Sequence, residues 1–363
     1  MSETDPQQPR ARRPPARRAP AGSPLRRRLG AVVTWLAAAA AVAVVVAVSL
    51  HAHLPFGLSA ASKPAPSTSG PTGPTGPVKP ASTQTVSVSA IGTLSAPASR
   101  VAAVPYGTGG ALFLGGYGAM GEATDTVQTY QASTVTSGAA APIPLASAVA
   151  AVLGPNVYVF GGIGSSAIYE LTGTSFAAVG SLPAVTADAA VATVGNTAYV
   201  IGGYTGTAEL STIVAYTPGS PAQTVASLPV TLRYATAVAL DGDVYIIGGA
   251  TAGVPGNTVY RFDPQTNSVV VFAALPHARE RQSAAVLGDV IYAIGGANTA
   301  GTRSRAIYAI NPTSGAVRLA GLLPRALADT AAVSVGGQII VAGGSDAAMA
   351  PVATIYAVAP VSS

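Results

Sequence analysis

The polar residues of this chain that could take part in binding or catalysis recur a few positions after prolines. Only 9% of the residues are charged, yet within residues 84–363 each of several prolines is followed, three to five residues later, by a charged or hydroxyl-bearing side chain. These residues are Arg100, Ser147, Asp188, Arg233, Tyr234, Arg279, Glu280, Arg281 and Asp329. Guanidinium groups match the geometry of carboxylates, and Glu280 between two arginines is the best candidate for a general acid or base. The pattern predicts an arginine-containing pocket for an anionic or hydroxyl-rich ligand.

A structural interpretation uses the same residues. Arg and Asp side chains from adjacent repeats can pair with each other and only seal the molecule, because a buried charge requires a partner. The sequence leaves both interpretations open. A second polar set follows the glycine pairs described below, and it comprises Tyr117, Glu122, Tyr204, Glu209, Arg303, Arg305 and Asp346.

The missing residue types exclude several kinds of chemistry. The chain has no cysteine, so it has no disulfide, thiol nucleophile or cysteine zinc site. His277 is the single histidine of residues 84–363, which excludes imidazole metal clusters there. No phosphate-binding loop or hydrolase motif occurs. We therefore expect no metal and no cofactor.

The net charge of +5 belongs to the N-terminal part of the chain. Residues 1–83 hold eight Arg and two Lys against Glu3 and Asp5, a balance of +8, whereas residues 84–363 hold nine Arg and twelve acids, a balance of −3. A phosphate backbone requires a broad basic face. We therefore expect no nucleic-acid partner.

Residues 1–83 predict a membrane anchor. Residues 1–28 are rich in Pro and Arg and predict a disordered cytoplasmic tail. Residues 29–50 carry no charge over 22 positions, enough for one transmembrane helix across a hydrocarbon layer of about 30 Å. Eight arginines before this segment place the N-terminus in the cytoplasm and the rest outside the cell. Residues 51–83, rich in Pro, Ser, Thr and Gly, predict an extended linker.

An alternative interpretation of residues 29–50 is a cleaved secretory or twin-arginine signal peptide. The arginines before the apolar segment and the small residues after it fit such a signal. Its apolar core is normally only about 7–15 residues long, and this segment is longer.

A glycine pair recurs through residues 84–363 at nearly even intervals. The pairs begin at Gly115, Gly161, Gly202, Gly248, Gly295 and Gly343, with spacings of 46, 41, 46, 47 and 48 residues. A tyrosine stands three residues before four of these pairs, and a further strand pattern follows every pair. Unrelated turns in a β-sandwich would not keep these landmarks in register, so the period predicts a β-propeller.

These repeats resemble those of the kelch-repeat β-propeller family, which carry a Gly-Gly pair and a spaced tyrosine. The resemblance covers residues 84–363. The tryptophan usual on the outer strand is missing from every repeat, and Phe176, Ala222, Val269 and Val317 stand in its place. In that family the loops before the first strand and after the Gly-Gly strand meet at one mouth of the central channel, where ligands bind. The resemblance thus implies that Arg100, Asp188, Arg233, Tyr234, Arg279, Glu280, Arg281 and Asp329 line this mouth.

We predict an all-β, six-bladed propeller of four-stranded blades over residues 84–363. Only one strand, residues 352–360, follows the last glycine pair, whereas residues 85–94 form a strand with no blade of its own. The N-terminal strand should therefore complete the sixth blade, and such closure removes exposed sheet edges. We expect a monomeric propeller.

The predicted function is extracytoplasmic recognition of a protein or glycan through the mouth, by a module without catalytic residues. The alternative is a sugar-active enzyme with a mutarotase-like, epimerase-like or lyase activity, because the resemblance includes secreted six-bladed sialic-acid mutarotases, which need only carboxylates and arginines. Copper radical oxidases of this fold require a cysteine and two histidine ligands, so the inventory excludes that chemistry.

Overall fold

The computed structural model describes residues 1–2 and 85–361. The predicted tail, membrane span and linker fall on residues 1–83 and, apart from Met1 and Ser2, lie outside the described residues. Across residues 1–2 and 85–361 the structure has no helix with the length and apolar character needed to span a membrane.

The described chain consists of short antiparallel strands arranged in six four-stranded sheets, the blades. The N-terminal strand is β1 (Val86–Ala98). Blade 1 contains β2 (Ala102–Tyr106), β3 (Gly110–Leu114), β4 (Val127–Gln131) and β5 (Thr134–Ser137). Blade 2 contains β6 (Val149–Leu153), β7 (Asn156–Phe160), β8 (Ala167–Thr172) and β9 (Ser175–Ser181). Blade 3 contains β10 (Ala190–Val194), β11 (Thr197–Ile201), β12 (Thr212–Tyr216) and β13 (Gln223–Ser227).

The remaining strands complete the ring. Blade 4 contains β14 (Thr236–Leu240) and β15 (Asp243–Ile247), then a small hairpin of β16 (Ala250–Thr251) and β17 (Val254–Pro255), then β18 (Thr258–Asp263) and β19 (Ser268–Ala274). Blade 5 contains β20 (Glu280–Leu287), β21 (Val290–Ala297), β22 (Ser304–Ile310) and β23 (Val317–Leu327). Blade 6 contains β24 (Ala331–Val335), β25 (Gln338–Ala342) and β26 (Val352–Pro360).

The fourth strand of blade 6 is β1, from the other end of the chain. It pairs antiparallel with β26, with Gly92 opposite Ile355, which is the place predicted for the N-terminal strand. The innermost strands contact one another in the cyclic order β2, β6, β10, β14, β20, β24 and back to β2. The predicted all-β, six-bladed architecture is therefore confirmed.

The hydrophobic core is divided into six clusters, one at each interface between neighbouring blades. The interface of blades 6 and 1, for example, buries Leu94, Phe113, Ile340 and Ile355. The side chains that replace the family's tryptophan pack against four of the other clusters, and they are Phe176, Ala222, Val269 and Val317. The inner strands of a blade are thus covered by a neighbouring blade on both sides, which explains why β7 and β15 read as largely continuous apolar runs.

The glycine pairs let neighbouring blades approach closely. Every one of their twelve residues has a positive φ, as at Gly161 (64°) and Gly162 (106°). A Cβ on the first glycine of each pair would collide with the loop that enters the next blade, and a Cβ on the second would approach the loop of its own blade. Only glycine combines this backbone conformation with the missing side chain.

Candidate functional site

One residue per blade marks the entrance to the central channel. Each stands just before or at the start of an innermost strand and has a left-handed backbone, with φ between 51° and 59°. These six residues, which we call the mouth ring, are Arg100, Ser147, Asp188, Tyr234, Arg281 and Asp329.

The backbone of the mouth ring is joined by hydrogen bonds from blade to blade. In five of the six ring residues the N–H donates to the carbonyl oxygen of the counterpart in the preceding blade, as from Asp329 to Arg281 at 2.7 Å and from Arg100 to Asp329 at 2.9 Å. Asp188, Tyr234 and Arg281 donate in the same way, at 3.1, 2.9 and 2.9 Å. The ring therefore has a fixed frame on which its side chains are held.

Arg100 bridges the channel. Its Nε lies 3.1 Å from Oδ1 of Asp329 in the neighbouring blade 6, and its Nη1 lies 3.3 Å from Oδ1 of Asp188 in blade 3. Nη1 also donates to Oγ of Ser147 at 3.4 Å. Burial acts to lower the pKa of Arg100, but the charges of Asp329 and Asp188 outweigh it and raise that pKa overall.

Two further arginines complete a neutral network. Arg233 contacts Asp188 at 2.7 Å, and Arg281 contacts Asp329 at 3.2 Å and Glu280 at 3.1 Å. The two aspartate side chains are only 6% and 8% exposed. Three arginines thus face three carboxylates, so the charges at the mouth cancel and each has a partner.

Tyr234 stands among the three guanidinium groups. Those of Arg281, Arg233 and Arg100 lie 3.7, 4.1 and 5.0 Å from its ring centre, and Arg233 also donates to its hydroxyl. Burial, followed by the negative charge of Asp188, raises the pKa of Tyr234 to about 12. The phenol therefore stays protonated near neutral pH while its face stabilises the cations.

Glu280 holds a partly buried carboxylate at the mouth. Burial, and then the nearby charge of Asp329, raises its pKa above the ordinary value. Arg281 accompanies it at 3.1 Å. Chemically, Glu280 can act as a proton donor or acceptor beside an arginine.

The mouth ring separates two spaces. Outside it lies a cavity of about 610 Å³, the outer cavity, whose lining includes Tyr117, Glu280, Arg303 and Ser345. Inside it a cavity of about 120 Å³ contacts all six ring residues and adjoins a channel of about 210 Å³ lined mainly by Ala, Val, Ser and Thr of the six innermost strands. A ligand that approaches from the side of the mouth ring therefore meets the outer cavity first.

The structure brings together seven of the eight predicted site residues. Arg279 does not join them: its side chain is buried, its Nη1 donates to the carbonyl oxygen of Gly295 at 3.1 Å, and its guanidinium lies over Tyr308. Regular alternation along a strand would put residues 279 and 281 on the same side, but the left-handed backbone of Arg281, with φ of 59°, interrupts that alternation. Arg279 therefore lies away from the mouth ring that Arg281 joins.

The second polar set, which follows the glycine pairs, also has some members at the mouth and others away from it. Tyr117 and Tyr204 contact Arg100 and Arg233, at 5.5 and 4.2 Å from ring centre to guanidinium. Glu209, in contrast, holds the blade 4 hairpin through the N–H of Ala252. Ser345 was not among the predicted residues, yet its hydroxyl donates to Asp329 at 3.0 Å. Its position directly after Gly343-Gly344 is the feature of the sequence that could have indicated it.

The described residues show no cluster of three or more His, Asp or Glu side chains arranged to hold a metal ion.

Comparisons with known proteins agree with this architecture. A family model described as the kelch motif matches residues 186–224 and 231–275, which fall in blades 3 and 4. A solved structure titled "Structure of YjhT" superposes with a TM-score of 0.65 at 16% identity and covers 72% of this chain and 95% of that chain. At this identity the likeness concerns the fold. A search of curated proteins finds no match.

Proposed function

We propose that this six-bladed β-propeller, two of whose blades match the kelch motif, is a recognition module that binds a protein or glycan at the outer cavity. One observation carries the proposal: the charged groups of the mouth ring pair with each other. They form a rigid, neutral floor instead of a set of free reactive groups. Above this floor the outer cavity of about 610 Å³ is within the size range of ligand sites.

The proposal includes a tether outside the cell. In this proposal residues 29–50 are the single membrane span, residues 1–28 are its cytoplasmic tail and residues 51–83 link the span to the propeller. The uncharged length of residues 29–50 supports this arrangement. Retention of the intact chain in membranes washed with alkaline carbonate tests it, and release of a shortened chain would indicate a cleaved signal peptide instead.

Replacing Tyr117 with alanine should weaken ligand binding about tenfold, because Tyr117 lines the outer cavity and supplies an aromatic face. Full-length protein in lipid nanodiscs would be applied to a glycan array, and the affinity of any hit measured for both proteins. Tyr106→Ala is the matched control, since Tyr106 is 44% exposed at the other end of β2. Equal effects of the two substitutions would contradict binding at this mouth.

The raised pKa of Glu280 supports a second candidate function, a mutarotase-like activity on a sugar such as sialic acid. If Glu280 is the acid or base, Glu280→Gln should slow the exchange of anomers by about a hundredfold. NMR of the two anomers with wild-type and variant protein measures this exchange. Sugar binding without any acceleration of exchange would leave recognition as the function.

A further inference from the structure

Another cavity lies beside the mouth, in blade 5. It has a volume of about 740 Å³ and occupies the space between the loop that enters β20 and the loop that leaves β21. We call it the blade 5 cavity. Its lining includes His277, Arg279, Asn298, Thr299, Thr302 and Arg303, and no Asp or Glu belongs to the described residues that line it.

Arg279 is a buried cation without a counter-ion. Arg279 is only 8% exposed. No carboxylate pairs with its guanidinium group in the part of the chain that the structure describes. Its contacts are the carbonyl oxygen of Gly295 and the ring of Tyr308, and its Nε has no hydrogen-bond partner among the described residues. A buried charge is costly unless an opposite charge accompanies it.

Arg303 is a second arginine of this cavity that has no carboxylate partner among the described residues. Its Nη1 and Nη2 donate to the carbonyl oxygen of Gly301 at 2.6 Å and to Oγ of Ser345 at 3.3 Å. Both partners are neutral, and no ion pair of Arg303 occurs within residues 85–361. Arg303 also lines the outer cavity, so it connects the blade 5 cavity with the mouth.

The wall of the blade 5 cavity is held in shape. Asn298 Oδ1 accepts hydrogen bonds from the N–H groups of Ala300 and Thr302 at 3.0 and 2.9 Å, and the N–H of Asn298 donates to the carbonyl oxygen of Thr302 at 3.1 Å. The loop is therefore a closed turn. It carries Thr299, Thr302 and Arg303 along the cavity and is shaped by its own hydrogen bonds before a ligand arrives.

We propose that the blade 5 cavity binds an oxyanion group, a carboxylate or a sulfate, of a ligand whose remainder occupies the outer cavity. The bound anion supplies the counter-ion that Arg279 and Arg303 lack, through charge-assisted hydrogen bonds. The part of this inference that places the rest of the ligand in the outer cavity rests on the proposed function. Together the two proposals narrow the ligand to an acidic glycan. Oxyanion binding itself stands without that function.

The test compares matched small probes with full-length protein in nanodiscs. D-Glucuronate and inorganic sulfate should bind in calorimetric titrations, whereas neutral D-glucose should not. Arg303→Gln and Arg279→Gln should each weaken glucuronate and sulfate binding about tenfold or more, the loss expected for one charged hydrogen bond. Arg325→Gln is the control and should bind both anions as the wild type does, because Arg325 already pairs with Asp346 at 2.9 Å.

The outcomes separate this inference from the proposed function. Should Arg279→Gln fail to fold, the partly exposed Arg303 decides alone. Glucose binding as tightly as glucuronate, absence of binding by both anions, or unchanged binding in Arg303→Gln would each overturn the anion site. Neutral glycan hits on an array without glucuronate binding would keep the recognition module and reject the anion site. Sulfate binding that depends on Arg303, without any array hit, would support the site and reject glycan recognition.

Discussion

Replacing Gly161 with alanine is expected to destabilise the propeller by about 4 kcal/mol. Gly161 has φ of 64°, and its new Cβ would overlap the carbonyl oxygen of Thr186 and lie 3.1 Å from the carbonyl carbon. This oxygen accepts the hydrogen bond from the N–H of Gly162 at 2.9 Å. The Thr186 backbone therefore cannot move away without losing a direct link between blades 2 and 3.

Gly164→Ala separates the two causes of this loss. Gly164 also has a positive φ, 69°, but a Cβ there meets nothing within 4 Å. Its substitution should cost only the left-handed backbone strain, about 1–2 kcal/mol. Denaturant unfolding of the full-length variants measures both losses. If Gly161→Ala and Gly164→Ala lose the same stability, close contact between blades is not the reason for the glycine pairs.

The same contact explains why the fold could be predicted from the sequence. The first glycine of every pair meets the loop entering the next blade, from Gly115 against Leu145 to Gly343 against Ala98. This requirement recurs once per blade and leaves a visible period. The closing strand could be predicted as well, because only one strand, β26, follows the last glycine pair, which leaves blade 6 one strand short, while β1 belongs to no other blade.

The arrangement of side chains at the mouth could not be predicted in this way. Its six left-handed positions hold four residue types, and Arg100 and Tyr234 are not residues that favour positive φ. Only the folded ring shows that Arg100 reaches the carboxylates of blades 3 and 6. The sequence left a ligand pocket and a sealed ring as alternatives, and the structure shows that the charges pair. The separation of Arg279 from Arg281 likewise depends on the direction of each side chain.

Replacing Asp188 with asparagine is expected to cost about 3 kcal/mol of stability, as breaking a buried ion pair does. The Asp188 side chain is 6% exposed and contacts Arg233 at 2.7 Å and Arg100 at 3.3 Å. Arg100 keeps Asp329 as a partner, whereas Arg233 loses its carboxylate. Asparagine preserves the shape of the side chain and tolerates the left-handed backbone at φ of 55°. The loss therefore reports charge pairing and not backbone strain.

Two further variants decide whether the pair is the cause. Asp241→Asn makes the same substitution at φ of 54° on an exposed turn where no ion pair occurs within the described chain, so it should change stability by less than about 0.5 kcal/mol. Adding Arg233→Gln to Asp188→Asn should restore part of the lost stability, since it removes the cation that the first substitution leaves alone. Unfolding of the single and double variants gives the coupling energy. Strictly additive losses would mean that the backbone hydrogen bonds hold the mouth ring by themselves, and that the paired charges serve an arriving ligand instead of the fold.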